Sequence, residues 1–172
     1  MRTLILGGAR SGKSSLAERL AGESSPAVTY VATARAQDAE MAARIAQHRA
    51  RRPAHWHSVE EPLALATVLQ AHAAADRCLL VDCLTLWLTN LLLHPDPAVF
   101  ARERAALLGV LPALPGRIIL VGNETGMGIV PMGELTRRFS DEAGWLHQEL
   151  GALCDNVLFT VAGLPLTLKG TP

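Results

Sequence analysis

The chain has 172 residues, 49% hydrophobic and 19% charged, which suits one folded domain with a single core and excludes a disordered polymer. Sixteen basic and sixteen acidic residues cancel, so a protein that grips nucleic acid through many phosphates is not expected, and any basic patch is local. Cys78, Cys83 and Cys154 show no CxxC spacing, which argues against a disulfide framework or zinc site and suits a reducing cytoplasm.

The chain opens on MRTLILGG, with one basic residue and an apolar run too short for a signal peptide. Residues 3–6 read as a strand. GGARSGKS follows and matches G-x-x-x-x-G-K-S/T without a gap, between that strand and a predicted helix over 14–21, which is the context the motif requires. Gly7, Gly8, Ala9, Arg10, Ser11 and Gly12 form a turn whose N–H groups approach an anion, at a helix start that adds partial positive charge. Lys13 is expected at the terminal phosphates of a nucleotide, and the Ser14 hydroxyl at a Mg²⁺ ion. The G-x-G-x-x-G dinucleotide pattern is missing, because position 9 is alanine.

A second strand is predicted over 28–32 and a helix over 38–51. The stretch RIAQHRARRPAHW, residues 44–56, places His48 among Arg44, Arg49, Arg51 and Arg52. A helix over 62–74 comes next. CLLVD, residues 78–82, reads as a buried strand ending in a carboxylate. Asp82 there suits the metal of a P-loop protein, or the N-cap of the helix that follows; the two roles can coexist. Helices over 84–92 and 97–111, a strand over 118–121, a helix over 134–153 and a strand over 157–161 complete the pattern, with residues 170–172 as a loose tail. Asp82, Thr85, Thr89 and Asn90 interrupt the longest apolar stretches, so no membrane span is expected.

Each strand is a short apolar run without alternation, as in strands buried on both faces of a parallel sheet. Strands alternating with helices predict a single three-layer α/β domain over 1–172, a mostly parallel sheet flanked by helices. In an open sheet of this kind Asp82 shares the carboxyl-edge crevice with the P-loop.

Several blocks in order resemble one family: GGARSGKS (7–14), YVATA (30–34), DAEMAARIAQHRARRPAHW (38–56), VDCLTLWLTNLL (81–92), NETGMGIVP (123–131), RRFSDEAG (137–144) and GLPLTLK (163–169). The chain resembles the bifunctional adenosylcobinamide kinase / adenosylcobinamide-phosphate guanylyltransferases of cobalamin biosynthesis over residues 3–169. The resemblance implies a RecA-like P-loop NTPase fold and a homotrimer. It implies two reactions: a nucleoside triphosphate phosphorylates the aminopropanol hydroxyl of adenosylcobinamide, and GTP then gives GMP to that phosphate, releasing pyrophosphate. GTP is the expected nucleotide, with ATP an alternative donor for the kinase step.

In the family a histidine carries GMP covalently, and His48 is the residue that matches. The resemblance also sets Ala32, Thr33, Ala34 and Glu60 against the nucleotide. Gln47 stands where some members have a second histidine, Gly122 where serine is frequent, and His147 where asparagine is expected.

The residues around His48 allow two readings. On a helix Met41, Ile45 and His48 share a face, and Arg44, Arg51 and Arg52 flank the imidazole. Acidic residues at the helix start and arginines at its end also suit the helix dipole, with the histidine merely half-buried. Attack on a phosphate needs a neutral imidazole, and adjacent arginines disfavour its protonation. The segment Arg49, Ala50, Arg51 and Arg52 would neutralise a triphosphate and the pyrophosphate that leaves it.

Glu124 could orient substrate or metal, or simply shape its loop. Thr85, Thr89 and Asn90 could line the cleft or pack a helix interface. Trp56, Trp87 and Trp145 read as core or interface residues. His55 and His57 have no third ligand nearby in sequence, so no metal site is read there. Two rival functions share the P-loop and Asp82: a small-molecule kinase without nucleotidyl transfer, and a RecA-like nucleotide-sensing module.

Overall fold

The computed structural model describes residues 1–24, 27–35 and 39–170, and the side chains of Glu40, Met41, Arg44, Gln47, His48 and Arg51 lie outside the described set. The predicted helix start at Asp38 and the last two residues of the predicted tail also lie outside it. β1 (Arg2–Gly7) leads into α1 (Lys13–Ser24), and β2 (Ala27–Ala32) into α2 (Ala39–Arg51). β3 (His57–Glu60), α3 (Leu65–His72), β4 (Arg77–Asp82), α4 (Leu84–Leu92) and α5 (Ala98–Val110) follow. β5 (Arg117–Asn123), α6 (Glu134–Leu153), β6 (Asn156–Val161) and β7 (Leu164–Lys169) complete the chain.

Among the described residues the strands form one sheet in the order β3-β2-β4-β5-β1-β6-β7. Every neighbouring pair is parallel except β6 with β7. The predicted three-layer architecture is present, and its layering follows from the period of two along each strand. Leu4, Leu6, Leu79, Val81, Ile118 and Leu120 point into the core that α3, α4, α5 and α6 cover. Ile5, Leu80, Ile119 and Val121 point the other way, onto Leu16, Ala17 and Ala21 of α1. Both faces are dry, which is why these strands read as unbroken apolar runs. No helix among the described residues is long and apolar enough to cross a membrane.

Two strands escape the sequence pattern. β3 is a four-residue edge strand with mostly exposed side chains, so it offers no apolar run. β7 is exposed along its whole length and contains Pro165, which only an edge strand tolerates. Two helices differ in length from expectation: α1 runs to Ser24, past the predicted end at 21, and α3 is shorter than the predicted 62–74. α3 begins at Leu65, because Glu61 Oε1 accepts the N–H groups of Leu63 and Ala64 at 2.8 Å each and turns the chain there. α2 stops at Arg51, where it was expected to end, because Pro53 disfavours helical geometry at Arg52. Arg52 therefore lies just past the helix end, so its helical spacing from His48 does not hold there.

Trp87 is fully buried, Trp56 is 8% exposed and Trp145 lies on the surface. The Trp87 Nε1–H donates to the Leu63 carbonyl at 2.8 Å and ties α4 to the turn before α3. Trp87→Phe leaves a cavity and an unpaired buried carbonyl, and we expect a loss of about 2 kcal/mol in chemical denaturation. A variant as stable as the parent would contradict this packing.

Candidate active site

The carboxyl edge of the sheet brings the chemistry together. Ala32 at the end of β2 pairs in register with Glu60 on one side and Asp82 on the other, and Gly7 pairs with Asn123. The loop after β1, the end of β4 and the loop after β5 thus open into one crevice.

The loop over residues 8–12 is held from outside itself. Gly12 has φ 97°, and a Cβ there would stand 3.0 Å from the Gly163 Cα, so the position needs glycine for conformation and for space. The Gly163 N–H donates to the Ser11 carbonyl at 2.8 Å. The turn joining β6 to β7 thereby clamps the P-loop, a contact that gives the block GLPLTLK its structural reason. Ala9 and Arg10 are exposed, and Gly8 is half-buried. The Ser11 hydroxyl is buried with no hydrogen-bond partner, an orphan donor inside a loop shaped for an anion.

Lys13 is the first residue of α1 and only 9% exposed. Its Nζ donates to the Gly8 carbonyl at 3.1 Å. Burial pulls its pKa below the ordinary lysine range, and the Asp82 charge opposes that pull. The ammonium is thus held at the mouth of the loop, on a weak partner that a phosphate would outcompete.

Asp82 is half-buried at the end of β4, and its Oδ2 accepts a hydrogen bond from the Tyr30 hydroxyl at 2.9 Å. Burial, reinforced by the Asp82 charge, raises the Tyr30 pKa, so the phenol is a donor. The Arg52 guanidinium lies 3.5 Å from the centre of the Tyr30 ring. Asp82 does not cap α4: the N-cap is Cys83, and no side chain bonds the helix start. Burial pushes the Cys83 thiol up to about 11, so it stays protonated at neutral pH and is no rival nucleophile.

The Ser14 hydroxyl and the Asp82 carboxylate are the oxygen donors the sequence offers a metal. No group of three or more His, Cys, Asp or Glu residues gathers to hold one among the described residues. That donor set fits Mg²⁺, which keeps several waters and binds through one or two protein oxygens plus phosphates.

The other predicted site residues divide. Thr33 is fully buried, and its hydroxyl is occupied by the Cys83 backbone, donating to the carbonyl at 2.7 Å and accepting from the N–H at 3.0 Å. Ala32 is buried and Ala34 half-buried beside it. Asn90, from α4, donates to the Thr33 carbonyl at 2.8 Å and the Pro62 carbonyl at 3.1 Å. Thr85 accepts the Asn123 N–H at 2.7 Å, and Thr89 donates back to the Thr85 carbonyl. These polar groups of α4 brace the ends of β2 and β5.

Arg49 and Glu60 form an exposed ion pair. The two predicted nucleotide contacts therefore hold each other. The pair places the end of α2 beside the sheet edge level with Asp82. Ala50 is exposed on the same helix. His48 lies in α2 immediately before Arg49; its side chain and that of Arg51 are outside the described set.

The loop over 123–131 reaches the P-loop through the Glu124 N–H, which donates to the Gly7 carbonyl at 3.0 Å. The Glu124 carboxylate accepts the Gly126 N–H at 2.6 Å and lies 3.6 Å from His147 Nδ1, beyond hydrogen-bond reach. Burial lowers the His147 pKa against the opposing pull of Glu124.

A family model described as cobinamide kinase / cobinamide phosphate guanyltransferase matches residues 3–168. The chain belongs to this family. The bifunctional adenosylcobalamin biosynthesis protein CobP of Pseudomonas aeruginosa is 69% identical over 172 residues, covering 100% of this chain and 99% of its own. The bifunctional adenosylcobalamin biosynthesis protein CobU of Salmonella typhimurium is 42% identical over 182 residues, covering 98% and 100%. An ATPase from the type III secretion system of pathogenic bacteria has a similar solved structure, with TM-score 0.53 at 13% identity over 96% of this chain and 56% of that one. That likeness shows the RecA-like fold alone.

Two departures of this cobinamide kinase / guanyltransferase from the family pattern prove to be neighbours. A Cβ on residue 122 would lie 3.1 Å from His147 Nε2 and 3.2 Å from Leu6 Cδ2. Glycine at 122 leaves room for the larger ring at 147, so the two positions read as one exchange of volume. Tyr30 is the site residue to which sequence reasoning gave no role. Its signal was a hydroxyl inside an otherwise apolar buried strand, which needs a partner.

Proposed function

We propose that this cobinamide kinase and cobinamide-phosphate guanyltransferase runs both its reactions over one triphosphate cradle, in a single domain spanning residues 1–172, with GMP held between them on His48. The observation that carries the reading is the Arg49–Glu60 ion pair, which fastens the helix bearing His48 to the sheet edge where Ala32 and Asp82 lie level.

In the kinase step the aminopropanol hydroxyl of adenosylcobinamide attacks the γ-phosphorus of ATP or GTP. An O–P bond forms, the bond to the β–γ bridging oxygen breaks, and the nucleoside diphosphate leaves; the hydroxyl proton passes to the transferred phosphate or to water. The protein's part is positioning and charge neutralisation. The N–H groups of residues 7–14 and the Lys13 ammonium receive the charge on the phosphates. Ser14 and Asp82 would hold Mg²⁺, which would supply further charge neutralisation for the phosphates when bound.

In the second reaction a neutral ring nitrogen of His48 attacks the α-phosphorus of GTP. A P–N bond forms, the bond to the α–β bridging oxygen breaks, and pyrophosphate leaves, its charge met by Lys13 and the N–H groups of the loop. A phosphate oxygen of adenosylcobinamide phosphate then attacks the same phosphorus, the P–N bond breaks, and His48 returns neutral. The product is adenosylcobinamide-GDP. Incubation with α-labelled GTP tests this: label on the protein that survives base and is lost in acid supports the phosphoramidate, and unlabelled protein with active guanylyl transfer contradicts it.

The proposed assembly is a homotrimer in the cytoplasm. Supporting the first, Met127, Ile129, Val130 and Met132 leave large apolar side chains in water on the single chain. Supporting the second, Cys78, Cys83 and Cys154 are unpaired.

Asp82→Asn is nearly isosteric and keeps an oxygen to accept from Tyr30, so the fold should change little. We expect Mg²⁺-dependent rates of both reactions to fall about 10- to 100-fold. Steady-state rates across a Mg²⁺ series, with thermal melts alongside, check this. Unchanged rates with lowered stability would leave Asp82 a structural residue.

A further inference from the structure

We propose that Tyr30 is a positioning residue for the Asp82 carboxylate, and that Arg52, seated on the Tyr30 ring, couples the end of α2 to the triphosphate cradle. The inference rests on the proposed nucleotide site and deepens it. Tyr30 is 2% exposed in β2 and one strand away from Asp82. Its hydroxyl makes the only hydrogen bond to the Asp82 carboxylate among the described residues, at 2.9 Å to Oδ2. The last torsion of an aspartate is broad and roughly two-fold, so a half-buried carboxylate with one fixed donor takes its orientation from that donor. Oδ2 is committed to the phenol, and Oδ1 is left for the cradle. A hydrogen bond to a charged acceptor is of the stronger kind and resists rotation.

Arg52 extends the chain of contacts. Its guanidinium lies 3.5 Å from the Tyr30 ring centre, and its Nε is buried with no hydrogen-bond partner. The ring contact is thus what its burial secures. A cation on the ring face draws electron density from the hydroxyl and makes it a stronger donor. The Arg52 N–H donates to the Arg49 carbonyl at 3.3 Å, so the contacts run from the last turn of α2 through Arg52 and Tyr30 to Asp82. The helix that carries His48 and the carboxylate proposed for Mg²⁺ are joined through two side chains, Arg52 and Tyr30.

Calorimetric titration with the α,β-methylene analogue of GTP, which His48 cannot cleave, separates this role from core filling. The readout is the factor by which Mg²⁺ tightens binding. In Tyr30→Phe we expect affinity without Mg²⁺ to match the parent and the Mg²⁺-dependent gain to shrink about tenfold, the size seen when a group orienting a metal ligand is removed. Circular dichroism and the thermal midpoint report that the variant is folded. Arg52→Lys keeps the charge, loses the planar stack and leaves Tyr30 intact. It should shrink the same gain by a smaller factor, and it supplies an independent reading if Tyr30→Phe unfolds. A folded Tyr30→Phe with the parent's full gain overturns the proposal. So does an equal loss of affinity with and without Mg²⁺, which would make Tyr30 a wall of the pocket. If the parent itself does not bind the analogue, the nucleotide site fails first and this inference falls with it.

Discussion

Lys13→Ala is expected to cost both reactions about 10²- to 10³-fold, the usual loss when a preorganised donor to developing charge is removed. In the proposed mechanism both reactions place a triphosphate in the same loop, and Lys13 is the cation at its mouth, held on the Gly8 carbonyl. Its ammonium remains in a buried position because the Asp82 carboxylate lies near enough to oppose the cost of burial. Alanine removes the charge that meets the β- and γ-phosphates and leaves Asp82 facing them without a counter-charge. Binding and turnover should therefore fall together. The check is kcat and KM for each half-reaction with far-UV circular dichroism on the same sample. A folded Lys13→Ala protein with the parent's turnover in either reaction would remove that reaction from the P-loop.

His48→Ala should divide the two activities. Phosphoryl transfer to a hydroxyl needs no covalent intermediate, since positioning and charge neutralisation do most of that work. We expect kinase turnover to stay within the same order of magnitude. Guanylyl transfer by the covalent route loses its nucleophile and should drop by several orders of magnitude, with no labelled protein formed. The position is exacting because the alternatives are weak. The Cys83 thiol stays protonated, and Gln47 has no nucleophilic nitrogen to offer. Mass spectrometry of the parent after exposure to GTP should find the added GMP on the peptide containing His48. Label on another peptide, or undiminished guanylyl transfer in the variant, would leave His48 an ordinary helix residue and return the chain's second activity to a direct in-line mechanism.

The parts of the site that could be read in the sequence are those whose chemistry is local. Gly7 to Ser14 is contiguous, so its turn, its cation and its hydroxyl announce themselves without any knowledge of what surrounds them. Asp82 is legible because a buried strand ending in a carboxylate has few structural uses. The five central strands are legible because burial on both faces writes an uninterrupted apolar run, and the alternate side chains then divide between the two cores. The edge strands β3 and β7 are not, because one exposed edge removes both the apolar run and the penalty against Pro165.

What only the tertiary structure decided are the contacts between segments far apart in the chain. Gly163 clamps Ser11 from 152 positions away, and no spacing rule links the end of the sheet to its first loop. Arg49 and Glu60 each look like a nucleotide contact when read singly, and only the structure shows that they pair with one another across the end of α2 and the edge strand. The hydroxyl of Thr33 serves the Cys83 backbone, because a strand end with nothing beyond it must find its hydrogen bonds sideways. Tyr30 carried no motif at all. Its meaning lies in a single 2.9 Å hydrogen bond across β2 and β4, set by sheet register, and register is a property of the pairing of two strands, which neither strand contains alone.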